Sequence, residues 1–215
     1  MSGRFVTFEG TDKAGKRTQI RILAETLQRR GHQVITVREP GGTLLGERVR
    51  NVLMSPDLSG LMTPQAEVFL FSACRSELVR SVIRPALESG KVVLCERFFD
   101  STLAYQGYGR GLDLEWLREI IDYSIDGVIP DLTLLLQVSV STSYERRARL
   151  TSMDSAFRQD IFEQSGESFF SRVEQGFKEL AKEEPNRIQV IDGHGSIKEV
   201  AQRILETLER CDIGL

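Results

Sequence analysis

The chain has 215 residues, of which 40% are hydrophobic and 27% charged, a balance that places it among globular proteins and excludes disorder over most of its length. Its 28 Lys and Arg against 31 Asp and Glu leave a net charge of −3, so no general positive field draws it to nucleic acid or to an anionic membrane, and any phosphate must be held by a local site. Apolar runs such as the leucines at 134–136 fall far short of the ~20 residues that a membrane-spanning helix needs.

The N-terminus enters an alternating strand pattern at once, with no secretory leader, so the expected setting is cytoplasmic. The three cysteines (Cys74, Cys95 and Cys211) have spacings that suggest neither a disulfide framework nor a zinc site. Residues 5–8 form a short β-branched and aromatic run, followed after a glycine loop by Ile20, Leu23, Ala24 and Leu27 at helical spacing, which predicts strand, loop and helix. Gly31 caps that helix, and residues 34–37 supply a second strand bounded by Pro40, Gly41 and Gly42.

Helical periodicity resumes over 44–54 and again over 64–89, where Pro64 suits a first turn and Pro85 predicts a break or kink. A fully apolar strand is expected at 92–95, then a helix over 114–125, a strand over 132–138, helices over 141–150 and 162–182, a strand at 188–191 and a last helix over 197–210. Repeats, low-complexity tracts and linkers are missing, so residues 1–215 read as one domain. Strands apolar on both faces that alternate with helices imply a parallel sheet covered on both sides, an open three-layer α/β/α fold whose ligands gather at the carboxyl ends of the strands.

The loop Gly10-Thr11-Asp12-Lys13-Ala14-Gly15-Lys16 matches the phosphate-cradling G-x-x-x-x-G-K pattern, directly after a predicted strand and at the start of a predicted helix. Its glycines let successive backbone N–H groups wrap a phosphate, the helix N-terminus favours the anion, and Lys16 reaches the outer phosphates. The residue after that lysine is ordinarily a Ser or Thr whose hydroxyl ligates the nucleotide's Mg²⁺, whereas here it is Arg17, which cannot ligate a cation. Thr18 follows, turned by ~100° about the helix axis.

Four further blocks narrow the reading. Arg38-Glu39-Pro40-Gly41-Gly42-Thr43, Phe71-Ser72-Ala73-Cys74-Arg75, Glu96-Arg97-Phe98 and Asp100-Ser101-Thr102-Leu103-Ala104-Tyr105-Gln106-Gly107, together with the loop, closely resemble thymidylate kinase, and the likeness runs over essentially the whole chain. The resemblance implies a P-loop NTPase fold with a five-stranded parallel sheet, the transfer of the γ-phosphoryl of ATP to dTMP to give dTDP, Mg²⁺ as the cofactor that accompanies ATP, and a homodimer.

It also implies residue roles. Lys16, Lys13, Arg97 and Glu96 would be catalytic, with Glu96, where the family usually has Asp, holding Mg²⁺ through water. Gly10, Thr11, Asp12, Lys13, Ala14, Gly15, Lys16, Arg17, Thr18 and Arg149 would bind ATP. Asp12, Arg38, Phe71, Arg75, Arg97, Ser101, Tyr105 and Gln106 would bind dTMP: Arg38 and Arg97 at its phosphate, Phe71 stacked on thymine, Arg75 and Gln106 at the base edge, Asp12 at the 3′-hydroxyl, and Tyr105 excluding a 2′-hydroxyl. The basic cluster Arg146, Arg147 and Arg149 leads into a polar lid at about 146–160, to which Arg158 also belongs.

The chemistry agrees with this convergence of cations, because phosphoryl transfer needs positioning and charge neutralisation more than covalent assistance. Two other readings stand beside it: a nucleotide-binding homologue with weak or lost turnover because of Arg17, and a kinase for another nucleoside monophosphate. His32 and His194 lack ligand-spaced partners and read as surface residues.

Overall fold

The computed structural model describes residues 3–58, 60–139, 142 and 166–215. Among them five strands, β1 (Arg4–Glu9), β2 (Val34–Arg38), β3 (Val92–Glu96), β4 (Leu132–Gln137) and β5 (Ile188–Asp192), form one all-parallel sheet in the order β2-β3-β1-β4-β5. Helices α1 (Lys16–Arg29), α2 (Leu44–Leu53), α3 (Pro64–Leu78), α4 (Arg84–Glu88), α5 (Phe99–Thr102), α6 (Leu114–Ile125), α7 (Gly166–Glu183) and α8 (Ile197–Cys211) cover its two faces.

The strand pleat sorts the core. On one face Val6, Phe8, Leu94, Leu134 and Leu136 pack with Ile20, Leu23 and Leu27 of α1 and Ile204 and Leu208 of α8. On the other, Phe5, Val93, Cys95 and Leu135 meet Val68 and Leu78 of α3, Leu117 and Ile121 of α6, and Phe169, Val173 and Phe177 of α7. Alternate residues of a strand point to opposite faces, so a strand buried on both sides is apolar almost throughout, as the sequence pattern required.

Two expectations need correction. The helical run over 64–89 does not break at Pro85; it widens upstream into a π-helical stretch, Val79–Ile83. Proline lacks the N–H that would close its own turn and its ring crowds the carbonyl four residues back, and a wider turn relieves both. Residues 99–109, given no element from the sequence, are helical, with α5 passing into a π-helical stretch, Leu103–Gly109. Gly107 and Gly109 are poor helix formers, and the stretch is held from outside by α7, whose Arg172 guanidinium donates twice to the Gly109 carbonyl (3.1 and 2.9 Å). Apart from residue 142, the helix expected over 141–150 lies outside the described residues, as does the start of that over 162–182.

Register brings the carboxyl ends of the central strands level. Phe8 and Arg38 both pair with Glu96, so the P-loop, the Arg38 segment and the Arg97 turn leave the sheet side by side. The chain runs outward from β1 to β2, returns to β3 and then crosses to β4 on the other side of β1. A crevice forms at such a switch point.

Candidate active site

Gly10 has φ 123°, and a Cβ there would lie 2.2 Å from the Leu136 carbonyl oxygen, so only glycine lets the loop turn over the sheet edge. The loop then delivers Lys16 to the first turn of α1, where its ammonium donates to the carbonyls of Gly10 (3.0 Å) and Thr11 (2.8 Å). Burial, with the Arg97 charge added to it, brings the Lys16 ammonium down to about 8.

Two non-glycine residues of the site adopt left-handed backbone, Lys13 (φ 62°) and Arg97 (φ 64°). That conformation costs an L-residue about 1–2 kcal/mol, and here it aims two cations into one space. Arg97 is held on three sides: it donates to Asp12 Oδ1 (2.6 Å), to Ser101 Oγ (3.0 Å) and to the Tyr105 hydroxyl (3.1 Å). Burial alone would raise the Asp12 carboxyl, yet Arg97 and Lys16 hold it below the ordinary value.

Beneath this turn lies Glu9, fully buried at the end of β1. It accepts from the Phe98 N–H (2.7 Å) and the Ser101 hydroxyl (2.6 Å), and so pins the left-handed turn to the strand that launches the P-loop. Burial pushes its carboxyl up to about 7, against the opposing pull of Arg97.

These elements enclose a cavity of about 520 Å³. At one end it is lined by Asp12, Lys13, Gly15, Lys16, Arg17, Thr18, Glu96 and Arg97, and at the other by Arg38, Phe71, Arg75, Ser101, Tyr105 and Gln106. The structure thus gathers residues from the P-loop, the ends of β2 and β3, α3 and the α5 segment. Gly10, Thr11 and Ala14 are not on the wall; they shape the loop behind it. Arg149 and the expected lid at 146–160, with Arg146, Arg147 and Arg158, lie outside the described residues.

The end of the cavity at Arg38 and Arg75 carries its own support. Arg38 is paired with Glu47 at 2.7 Å, and Glu47 also accepts from the Gly42 N–H. Arg75, 1% exposed, donates through Nε to Glu39 (3.0 Å) and through Nη2 to Thr102 (2.7 Å), while its buried Nη1 has no partner among the described residues. A buried guanidinium nitrogen left open beside a cavity is a donor prepared for a ligand. Burial carries the Glu39 carboxyl up to about 7 despite Arg75.

Residues that sequence reasoning missed also line the wall: Glu39, Pro40, Arg50, Met54, Phe98 and Thr102. Glu39 and Pro40 stood inside a quoted motif, but Arg50 and Met54 carry no local signal and reach the cavity because α2 packs against α3, with Arg50 donating to the Pro40 carbonyl (3.0 Å). Arg17, at the mouth, lies with its Nε 3.6 Å from Glu96 Oε2. His194 is exposed, as expected of a surface residue, and its ring bonds the Asp192 carboxylate (2.6 Å) and accepts from the Ser139 N–H (3.1 Å).

Comparison with known proteins decides the family. The family model described as thymidylate kinase matches residues 8–204. The chain belongs to the thymidylate kinase family. It is 45% identical over 209 residues to the thymidylate kinase of Pelotomaculum thermopropionicum, covering 97% of this chain and 94% of the relative. It is 47% identical over 206 residues to that of Desulfovibrio desulfuricans, covering 95% and 94%.

Among solved structures, thymidylate kinase from Ehrlichia chaffeensis superposes with a TM-score of 0.77 at 34% identity, covering 97% of this chain and all of the other. The thymidylate kinases are phosphotransferases that use ATP to convert dTMP to dTDP, and this chain is one of them. Nothing in these comparisons supports a homologue without turnover. No helix among the described residues is long and apolar enough to cross a membrane.

Proposed function

We propose that the cavity holds both substrates of this phosphoryl transfer in line, ATP phosphates in the P-loop and dTMP between Phe71, Arg75, Tyr105 and Gln106. The observation that carries this reading is the single continuous wall that joins a phosphate cradle to an aromatic and polar nucleoside site, with Arg97 between them. Arg97, fixed by Asp12, Ser101 and Tyr105, bridges the transferred group and the dTMP phosphate, with Arg38 on that phosphate from the other side. Lys16 leaves the Gly10 and Thr11 carbonyls for the outer phosphates of ATP, and Lys13 adds charge from within the loop. Every one of these groups acts by neutralising oxygens and fixing distance, the main requirements of the reaction.

Mg²⁺ fits the residues present. Glu96 offers a carboxylate oxygen on the cavity wall, the hard donor that this ion takes, while Arg17 stands where a hydroxyl ligand would be expected. When bound, the ion neutralises charge on the β- and γ-phosphate oxygens. Phe71 faces the base, and Tyr105, locked by its bond to Arg97, closes the sugar site against a 2′-hydroxyl.

The reading extends to a homodimer in the cytosol. Leu44, Leu45 and Val52 of α2 and Phe69 of α3 are exposed, and Phe69 stands edge-on to Trp116 of α6 at 5.9 Å, an apolar surface of the kind that copies of one chain bury against each other. Three free thiols suit a reducing compartment. Phe69→Glu should convert the dimer to a monomer by analytical ultracentrifugation, and a wild type that sediments as a monomer would refute the assembly.

For the activity, ADP release measured with dTMP, dUMP, UMP, dCMP and AMP as acceptors should give the highest kcat/KM with dTMP and poor use of UMP. Equal rates with UMP would overturn the role given to Tyr105.

A further inference from the structure

One buried carboxylate behind the cavity wall has no part in the phosphoryl transfer. Glu67 lies in the first turn of α3, 3% exposed. It precedes Phe71 by four residues and Arg75 by eight, so the three share one stripe of the helix. Its Oε1 accepts from Gln106 Nε2 at 2.6 Å and its Oε2 from Arg110 Nη2 at 3.2 Å. Gln106, itself 2% exposed, lines the cavity where Glu67 does not.

A side-chain amide has two faces, a donor nitrogen and an acceptor oxygen, and a half-turn exchanges them. Glu67, with an amide and a guanidinium donating into it, serves as acceptor only, so Gln106 must turn its nitrogen toward α3. With one N–H given to Glu67, the amide's Oε1, a pure acceptor, is turned away from α3 and left for a ligand. Across the same wall Arg75 presents its unpartnered Nη1, a pure donor.

Acceptor and donor together match one class of pyrimidine edge. A 2,4-dioxopyrimidine offers an N3–H to Oε1 and a C4 carbonyl to Nη1. A 4-aminopyrimidine offers a lone pair at N3 and an amine at C4, so acceptor meets acceptor and donor meets donor. Unpaired polar groups inside a closed site are what give such discrimination its size.

We propose that Glu67 is a specificity-determining positioning residue, which locks the Gln106 amide with its oxygen toward the base and thereby selects bases that carry N3–H. The inference rests on the cavity's being the dTMP site. Without Glu67 the amide is free to turn, and Gln106 would then present a donor to the N3 lone pair of a cytosine.

The test compares kcat/KM for dUMP and dCMP, which share a sugar and lack the methyl group, so that only the N3 and C4 edge differs. Wild type should prefer dUMP strongly. Glu67→Gln keeps shape but lets two amides bond in either sense, and the preference should fall about tenfold or more, through KM, with thermal unfolding and ATP KM little changed.

The double variant Glu67→Gln/Gln106→Glu reverses the bond, because the residue 67 amide then donates to a carboxylate at 106 and an acceptor again faces the base. It should recover most of the preference for dUMP, and a double variant without that preference would overturn the inference even if the single variant failed to fold. An unchanged ratio in a folded Glu67→Gln variant would overturn it too. A wild type active on neither dTMP nor dUMP would instead bring down the reading of the site itself.

Discussion

Replacing Arg17 by Ser separates two accounts of the P-loop. Arg17 Nε lies 3.6 Å from Glu96 Oε2, with the arginine side chain 79% exposed and the glutamate 22%. A pair so open to water is worth at most ~1 kcal/mol, so the hold of Arg17 on Glu96 alters access to that carboxylate by no more than about fivefold. A cation in the first turn of a helix is itself unfavourable by about 0.3–1 kcal/mol, so the two contributions to stability nearly cancel and the melting temperature should hardly move.

Function should respond more than stability. Arg17→Ser frees Glu96 and supplies the hydroxyl that the loop otherwise lacks. A metal contact worth ~1.4 kcal/mol in the transition state would raise kcat by about tenfold and lower the Mg²⁺ concentration at half-maximal rate. The assay is steady-state kcat across a Mg²⁺ titration for both proteins, with ATP affinity by calorimetry in the presence and absence of Mg²⁺. A fall in kcat with unchanged metal dependence would refute this reasoning and show that Arg17 supplies charge directly to a phosphate oxygen.

Two further outcomes are expected. Phe71→Ala should raise KM for dTMP by roughly 5- to 150-fold, the equivalent of ~1–3 kcal/mol of stacking, and leave KM for ATP nearly unchanged; a change in the ATP constant alone would reverse the two ends of the cavity. Glu9, raised to about 7 by burial from an ordinary 4.5, favours the fold fully at pH below 4.5 and loses that contribution as pH rises through about 7. Glu9→Gln keeps the acceptor for the Phe98 N–H, so its urea midpoint should fall less than that of wild type between pH 5 and pH 8, with Glu39 accounting for the slope that remains. Parallel slopes in the two proteins would contradict the buried-carboxylate account.

Local chemistry was legible along the chain. The P-loop is a contiguous run whose glycines and lysine are dictated by phosphate geometry, and strands buried on both faces announce themselves as apolar runs. The roles of Phe71 and Arg75 came from the resemblance alone; their spacing says only that they share one face of a helix. What depends on distant segments could not be read.

Residues 103–109 contain glycines that argue against a helix, and only the packing of α7 and the Arg172 bonds to Gly109 make them one. Arg50 and Met54 reach the cavity because α2 packs against α3, and no periodicity records that. The left-handed turn at Arg97 exists because Glu9, on another strand, accepts from the residues that follow it. The orientation of the Gln106 amide is set by Glu67 from a different helix. Sequence thus determined which groups were available, since glycine, lysine and aromatic side chains carry their chemistry wherever they stand. Tertiary structure alone decided their direction, because a hydrogen bond's sense and a residue's reach are properties of the partners that folding brings together.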